Sequence, residues 1–172
     1  MKIFSFDAET NGLWGQPFAI GALVLDSKTG QESSRFVGRC PIEGTTDRYV
    51  EENVLPAMAG MPETYDGYES LLRAFAKFYL ANKEEAQVLV HMGYVVEAGL
   101  LHDMRAKGLI GEWDGPYPLY DVSGNLDQMG EDPTSVDDYA QKHGLVVPVF
   151  EGGTHNPLYD AAVAAAVYRH LK

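Results

Sequence analysis

The chain is poor in cysteine, in basic residues and in long apolar runs. Its single cysteine, Cys40, cannot form an internal disulfide, which favours a reducing compartment. The longest apolar stretches, such as residues 19–25, fall far short of the roughly 18 residues that a membrane-spanning helix needs. The opening residues MKIFSFDAET lack the basic stretch and apolar run of a secretory signal. We therefore expect a cytoplasmic protein with no membrane role.

Charge of positive sign is also scarce. Thirteen Lys and Arg residues stand against twenty-five Asp and Glu residues, which gives a net charge of −12. A chain of this charge has no bulk positive field to attract polyanions, so any binding of nucleic acid must be local or mediated by metal ions. The 172 residues are 45% hydrophobic and contain no repeat or linker, which predicts one globular domain over residues 1–172.

The hydrophobic pattern changes period along the chain. Short apolar-rich segments separated by turn residues come first and predict an antiparallel meander. Apolar residues at three- and four-residue spacings then predict a helix, after which strands and helices alternate. This order predicts an α/β fold with a mixed five-stranded sheet and helices on both faces. The predicted strands are residues 2–7, 17–26, 32–39, 88–91 and 119–122, the last followed by a loop, and the predicted helices are residues 64–82, 95–107, 134 or 135 to 143, and 156–171.

Two carboxylates lie one residue apart at the end of the first predicted strand. The period of two in a strand points the side chains of Asp7 and Glu9 to the same side. Two anions held together repel each other unless a cation or a raised pKa relieves the repulsion, and hard divalent cations prefer such oxygen ligands. Taken alone, the pair is more simply interpreted as a solvated strand end.

A histidine and a carboxylate meet at the start of the last predicted helix. Asn156 is a credible N-cap and Pro157 a credible first helical residue, so His155 lies just outside the helix and Asp160 about one turn inside it. An Asp near a helix N-terminus also stabilises the helix without any catalytic role. The pairing of a titratable imidazole on a glycine-rich loop with a carboxylate nevertheless favours a shared site.

A third carboxylate stands in an otherwise uncharged run. Glu97 is the only acid between Val90 and His102, and Asp103 follows six residues later. Glu97 is interpreted equally well as the exposed edge of an amphipathic helix or as a side chain pointing into a site.

Together these segments resemble the DEDDh branch of the 3′→5′ exonucleases, which includes ribonuclease T, oligoribonuclease and the proofreading exonuclease of replicative polymerases. Residues 6–13, FDAETNGL, look like the first family motif, Asp-x-Glu-Thr-x-Gly-Leu. Residues 154–161 look like the third, a His followed five residues later by an Asp. The resemblance covers nearly the whole chain and implies a ribonuclease H-like fold. The segment NVLP at residues 53–56 and the short length look most similar to those of small bacterial or phage exoribonucleases. This resemblance implies a protein of a bacterial or phage-infected cell.

The second motif departs from the family pattern. The family usually has His-Asn-x-x-Phe-Asp after the fourth strand, where this chain has HMGYVVE at residues 91–97. The asparagine is absent, and the expected Asp falls on Val96 or, with one residue of slack, is replaced by Glu97. We expect Glu97 to take this place, with Asp103 as the alternative. The divergence leaves open an altered metal affinity or a reduced activity.

The resemblance implies a metal-dependent 3′→5′ exonuclease that releases nucleoside 5′-monophosphates from single-stranded nucleic acid, with RNA slightly preferred over DNA. It implies two divalent cations, Mg or Mn, held by Asp7, Glu9, Glu97 and Asp160, with Asp7 bridging both ions. His155 would be the general base. Homodimerisation is common among the small members of the family, and a partner would supply the basic surface that this chain lacks.

Residues near the first motif are positioned to contact the terminal nucleotide. Gly12 would let the backbone come close, Leu13 would be an apolar contact for a base, and Thr10 lies beside them. The aromatic residues available for base stacking are Trp14, Phe18 and Tyr94, of which Phe18 is better explained as core.

Three rival interpretations remain at this point. A nuclease-like domain with a broken second motif would bind 3′ ends without efficient cleavage. A related hydrolase would act on very short oligonucleotides. A purely structural protein would require both carboxylate pairs to be coincidental.

Overall fold

A mixed five-stranded sheet forms the centre of the computed structural model, which describes residues 1–148, 150 and 152–172. The sheet has the order β3-β2-β1-β4-β5, with β1, β2 and β3 antiparallel and with β4 and β5 parallel to β1. This confirms the predicted meander and the mixed sheet. The strands are β1 (Lys2–Thr10), β2 (Pro17–Asp26), β3 (Glu32–Arg39), β4 (Ala86–Val90) and β5 (Tyr120–Asp121).

Six helices surround the sheet in the described part of the chain. The first is preceded by a single π-helical segment, Val50–Val54, which had no prediction from the sequence. The helices are α1 (Leu55–Ala57), α2 (Tyr68–Asn82), α3 (Val96–Ala106), α4 (Val122–Gln128), α5 (Val136–Lys142) and α6 (Pro157–His170).

Two boundaries differ from the sequence predictions for identifiable reasons. Helix α2 begins at Tyr68 instead of Thr64, because the amides of Thr64 and Tyr65 donate to the carbonyl of Arg39 at the end of β3. The loop predicted after residue 122 is wrong. Helix α4 begins there, because the Asp121 carboxylate accepts the amide of Ser123 and so caps the helix.

The period of two along β1 divides the core between the two faces of the sheet. Phe4 and Phe6 pack on the face covered by α2, where Phe75 and Tyr79 are buried. Ile3 packs on the opposite face, in the cluster that contains the buried residues of α6. Because side chains alternate along a strand, Asp7 and Glu9 lie on the α6 face. The helices therefore cover both faces, as predicted.

Helix α6 is apolar on almost every side. Four of its alanines are buried, and small side chains let the helix lie close to the strands. In the described residues, no helix has both the length and the apolar character needed to cross a membrane.

Candidate active site

The acidic site begins where β4 stops covering the edge of β1. The paired residues of these parallel strands run from Lys2 and Ala86 to Ser5 and Leu89. Beyond that point β1 continues on β2 alone, so the backbone of β1 is open on its other edge. The Ala8 amide finds its acceptor there in Glu97 Oε1, 3.0 Å away on α3. This hydrogen bond holds a buried carboxylate beside Asp7 and Glu9.

The first turn of α6 reaches the same place because β2 has a glycine opposite Asp7. Gly21 pairs with Asp7 in the antiparallel register, and a Cβ at Gly21 would overlap the backbone at Leu158. The absence of that atom lets the helix approach the strand directly. Asn156 caps α6 by accepting the Leu158 amide at 3.1 Å, as the sequence predicts. Asp160 is thereby carried to β1.

Three of the carboxylates form a tight cluster. One oxygen each from Asp7, Glu9 and Asp160 lies within 4.8 Å of the others. The separation of 153 positions between Asp7 and Asp160 is closed by the packing of α6 on β1 and β2. Hard oxygen ligands in such a group are the donor set that Mg²⁺ and Mn²⁺ prefer.

His155 joins this cluster through its backbone and through its ring. Its amide donates to Asp160 Oδ2 at 2.9 Å, and its φ of 69° is in the left-handed region. The ring Nδ1 lies 3.4 Å from Glu9 Oε1, and the ring Nε2 lies 3.2 Å from the hydroxyl of Tyr49. The hydrogen bond with Glu9 raises the pKa of His155, although burial acts in the opposite direction.

Burial raises the pKa of Asp7, Glu9, Glu97 and Asp160, and repulsion by neighbouring carboxylates adds to the effect for all of them except Glu9. Burial raises the pKa of Asp7 well above its usual value, and Glu97, Asp160 and Glu9 add to the effect. Burial raises the pKa of Glu97 to about 8, although its backbone hydrogen bonds oppose the change. Burial and then Glu9 raise the pKa of Asp160 to about 8. The pKa of Glu9 is also raised by burial, with His155 opposing it.

The carboxylates line a cavity of about 320 Å³. His91 and His155 also line it, but none of the described residues at its wall is Lys or Arg. No fixed positive charge is therefore available at the wall to balance the acidic groups. The residues fit a divalent cation, because such an ion would supply the missing charge and favour the ionised carboxylates.

Asp103, the alternative acid, lies elsewhere. Its Oδ2 accepts the hydroxyl of Tyr68 at 2.7 Å, and it contributes to a separate cavity of about 250 Å³. Glu97 and not Asp103 lines the cavity with Asp7.

Three of the six residues considered for contact with a nucleotide line this second cavity. Thr10, Leu13 and Trp14 line it, and Leu13 and Trp14 are exposed. Tyr94 is also exposed, and its ring meets that of Trp14 edge to face at 6.3 Å. Gly12 has a φ of 80°, which favours glycine. Phe18 is 1% exposed, so its interpretation as a core residue is confirmed.

Asp121 contacts the turn that contains the divergent second motif. Its carboxylate accepts the amides of Met92 and Gly93, at 3.1 and 3.0 Å, and so holds the turn that follows β4. Met92 has a positive φ of 53° in this turn, and His91 Nε2 lies 2.9 Å from the carbonyl of Pro133. The second motif is therefore held by contacts with Asp121 at the end of β5 and with Pro133 in the segment between α4 and α5.

Four residues important to the site had no prediction from the sequence. Tyr49 contacts His155, and Asp137 lines the cavity while accepting the Tyr159 hydroxyl at 2.7 Å. Asp121 and Gly21 act through the backbone. Of the four, only Gly21 carries a usable signal, because a glycine inside an apolar strand indicates close backbone approach.

Comparison with known proteins supports the fold. No protein-family model and no curated protein sequence matches the chain. Among solved structures, the chain is similar to the nuclease domain of 3′hExo, a DEDDh family member, bound to rAMP. The TM-score is 0.70 at 11% identity, covering 98% of this chain and 90% of that one.

Two further structures are similar over the same length. Exonuclease X in complex with 5′ overhanging duplex DNA matches with a TM-score of 0.63 at 15% identity, covering 98% of this chain and 90% of that one. The zinc-bound E. coli exonuclease I complex with single-stranded DNA matches with a TM-score of 0.62 at 13% identity, covering 98% of this chain and 39% of that one. The chain therefore has the ribonuclease H-like fold of the DEDDh exonucleases.

Proposed function

We propose that the protein is a metal-dependent 3′→5′ exonuclease that releases nucleoside 5′-monophosphates from single-stranded nucleic acid. The observation that carries the proposal is the half-buried cluster of Asp7, Glu9 and Asp160 beside the buried Glu97 and beside His155. Buried carboxylates with raised pKa values are expected at sites that act on a ligand. The fold shared with DEDDh exonucleases supports the same assignment.

Asp7, Glu9, Glu97 and Asp160 would hold the cations, which we propose to be two Mg²⁺ or Mn²⁺ ions. When bound, such ions neutralise charge on the scissile phosphate and lower the pKa of the attacking water. His155 would accept a proton from that water. Asp160 positions the histidine by accepting its amide, so that helix α6 fixes both groups together.

The terminal nucleotide would lie across the second cavity. Leu13 and Trp14 offer exposed apolar surface there, and Tyr94 offers a second aromatic face. Stacking on such residues is worth about 1–3 kcal/mol per base and tolerates any base. Thr10 and Gly12 would approach the nucleotide through the backbone.

We propose RNA as the slightly preferred substrate and a cytoplasmic location, with residues 1–172 acting as one exonuclease domain. A homodimer is the proposed assembly, on the ground that the small exonucleases which the sequence resembles commonly form one. Light scattering at several protein concentrations measures the assembly directly, and a constant monomer mass would contradict the dimer.

Cleavage of 5′-labelled single-stranded RNA and DNA tests the activity. With Mg²⁺ or Mn²⁺ we expect a ladder that shortens from the 3′ end, and with EDTA no cleavage. Glu97→Gln should reduce the rate by about a hundredfold or more, because its amide can still accept from Ala8 but carries no charge.

Glu112→Gln, at an exposed glutamate outside the walls of both cavities, is the control and should cleave at close to the wild-type rate. Normal cleavage by Glu97→Gln with loss in Asp103→Asn would move the ligand to Asp103. If the wild type and all variants bind 3′ ends but none of them cleaves, the interpretation as a nuclease-like binding domain would be favoured.

One observation favours a second candidate, a hydrolase of very short oligonucleotides. The described walls of both cavities contain no Lys or Arg, so the phosphates of a longer strand meet no fixed positive charge there. Rates on di-, tri- and decanucleotides would distinguish the two. The short-substrate enzyme predicts a kcat/KM that falls with length, whereas the exonuclease predicts a flat or rising one.

A further inference from the structure

Tyr49 contacts the histidine of the acidic site from a separate segment of the chain. Its hydroxyl lies 3.2 Å from His155 Nε2, and the two rings meet edge to face, with centroids 5.8 Å apart and planes at 83°. Tyr49 directly precedes the π-helical segment and is 57% exposed. The hydroxyl therefore lies at the accessible edge of the imidazole, on the opposite ring nitrogen from Glu9.

The backbone around Tyr49 is tied to the loop that follows β1. The Asn11 side chain donates to the Thr45 carbonyl at 3.0 Å and accepts the Asp47 amide at 2.7 Å. Asp47 Oδ1 in turn accepts the Tyr49 amide at 2.8 Å. A continuous set of hydrogen bonds thus runs from the loop beside Leu13 to the ring of His155.

The other end of this segment contacts the loop that carries His155. Gly152 packs so closely on the Ala57 carbonyl that a Cβ there would overlap it, and its φ is 96°. Residues 49–57 therefore touch the histidine loop at two places, through the Tyr49 side chain and through the Ala57 backbone. Two separate contacts define the orientation of the loop better than one.

The chemistry of a phenol suits this position. A Tyr hydroxyl can donate to a neutral imidazole nitrogen or accept from a protonated one, so it stays bonded to Nε2 in either state. Glu9 is the other side-chain contact of the ring, but under the proposed function its oxygens also serve as cation ligands. Tyr49 then becomes the contact that keeps the ring in place when Glu9 is engaged.

We propose that Tyr49 is a positioning residue for His155, tied through Asp47 and Asn11 to the loop that receives the terminal nucleotide. The inference rests on the proposed function for its effect on rate. The contact with the ring is independent of that function and is measurable in the protein without metal.

Tyr49→Phe removes the hydroxyl and keeps the aromatic ring. We expect kcat on single-stranded RNA to fall about tenfold with KM within about twofold, because a misplaced group loses rate without losing substrate binding. Tyr117→Phe is the matched control, since Tyr117 is an exposed tyrosine outside the wall of the acidic cavity. It should leave both constants unchanged.

The second measurement follows the ring nitrogens of His155 by long-range ¹H–¹⁵N correlation in the metal-free protein, with His155→Gln for assignment. Tyr49→Phe should shift the His155 Nε2 signal and leave those of the other four histidines in place. Asp47→Ala should shift the same signal by a smaller amount.

Unchanged His155 signals together with an unchanged kcat in Tyr49→Phe would overturn the inference. A rise in kcat would also overturn it, because the hydroxyl would then block the ring instead of positioning it. Should wild type show no nuclease activity, the proposed function fails, and the nitrogen shifts alone decide whether Tyr49 orients His155.

Discussion

Asp7 and Asp121 both lie toward the carboxyl ends of strands in one sheet, yet their surroundings are opposite. Hydrogen bonds from Ser123, Gly93 and Met92 outweigh burial and lower the pKa of Asp121. Asp7 is half-buried among three other carboxylates, and both its burial and their repulsion raise its pKa. The anionic form of an aspartate is thus stabilised at the end of β5 and destabilised near the end of β1.

The difference separates a structural carboxylate from one that is suited to a ligand. Asp121 caps α4 and holds the turn after β4, so its charge is satisfied by the fold itself. Within the described cavity wall, the charges of Asp7 and its neighbours are compensated only by the histidines and by the Ala8 amide that donates to Glu97. A divalent cation would supply the missing positive charge at Asp7, whereas Asp121 needs no cation.

The largest expected effect is on activity. Asp7→Asn should lower the rate of RNA cleavage on the order of a thousandfold or more, because it removes a charge that the cations require. Asp121→Asn should stay within about tenfold of wild type, since Asp121 acts on the backbone. Steady-state cleavage with both purified variants measures this, and equal losses would erase the distinction between the two sites.

Gly21→Ala should lower cleavage and cation binding at the acidic site, although it replaces none of the carboxylates. The added methyl group meets the backbone at Leu158, so α6 must move away from β1 and carry Asp160 with it. We expect cleavage to fall by about tenfold to a hundredfold, because small displacements of positioned groups are costly. Titration of Mn²⁺ by calorimetry should show weaker binding, and wild-type affinity would show that the close approach is unnecessary.

Stability should respond in opposite directions at the two positions. Without metal, Asp7→Asn should raise the free energy of unfolding by about 1–3 kcal/mol, because it relieves burial and repulsion of an anion. Asp121→Ala should lower it by about 2 kcal/mol, because α4 loses its cap and the turn loses its acceptor. Urea unfolding in EDTA provides both values, and a destabilised Asp7→Asn would contradict the comparison.

The smallest expected effect is the pH dependence of stability. The folded pKa values of Glu97 and Asp160 are raised to about 8, so the folded state holds more protons than the unfolded state between about pH 4 and 8. Without metal, the free energy of unfolding should therefore fall as pH rises through this range. We expect the Tm to fall with it by about 5 °C or more.

Asp7→Asn should flatten this dependence, and Mn²⁺ should raise the Tm more at pH 8 than at pH 6. Thermal unfolding with and without EDTA tests both statements. A metal-free Tm that rises between pH 5 and 8 would show that the carboxylates do not retain protons in the fold.

The sequence predicted well those features that depend on local order. The hydrophobic pattern located the five strands of the sheet and α2, α3, α5 and α6. Asn156 was predicted as a cap, and Ser135 was one of two candidates beside Thr134. Helix α4 and the π-helical segment were not predicted. Helix α4 depends on a cap at a strand end, and the π-helical segment has no marked periodicity.

The proposed ligands divide in the same way. Asp7 and Glu9 share a side of β1 because of a period that the sequence contains, and His155 and Asp160 are separated by one helical turn. No local feature of the sequence decided whether Glu97 or Asp103 is the ligand of the second motif. In the structure, the hydrogen bond from Ala8 holds Glu97 at the cluster, whereas Asp103 lines the second cavity and accepts the Tyr68 hydroxyl.

By itself, the sequence determined the α/β class, the order of the elements and the two short motifs at its ends, because each depends on neighbours within a turn or a strand. The tertiary structure decided which carboxylates meet, that Asp121 is satisfied and Asp7 is not, and that Tyr49 reaches His155. Those facts depend on where β4 ends and on how closely α6 approaches Gly21, and both are set by packing between residues far apart in the chain.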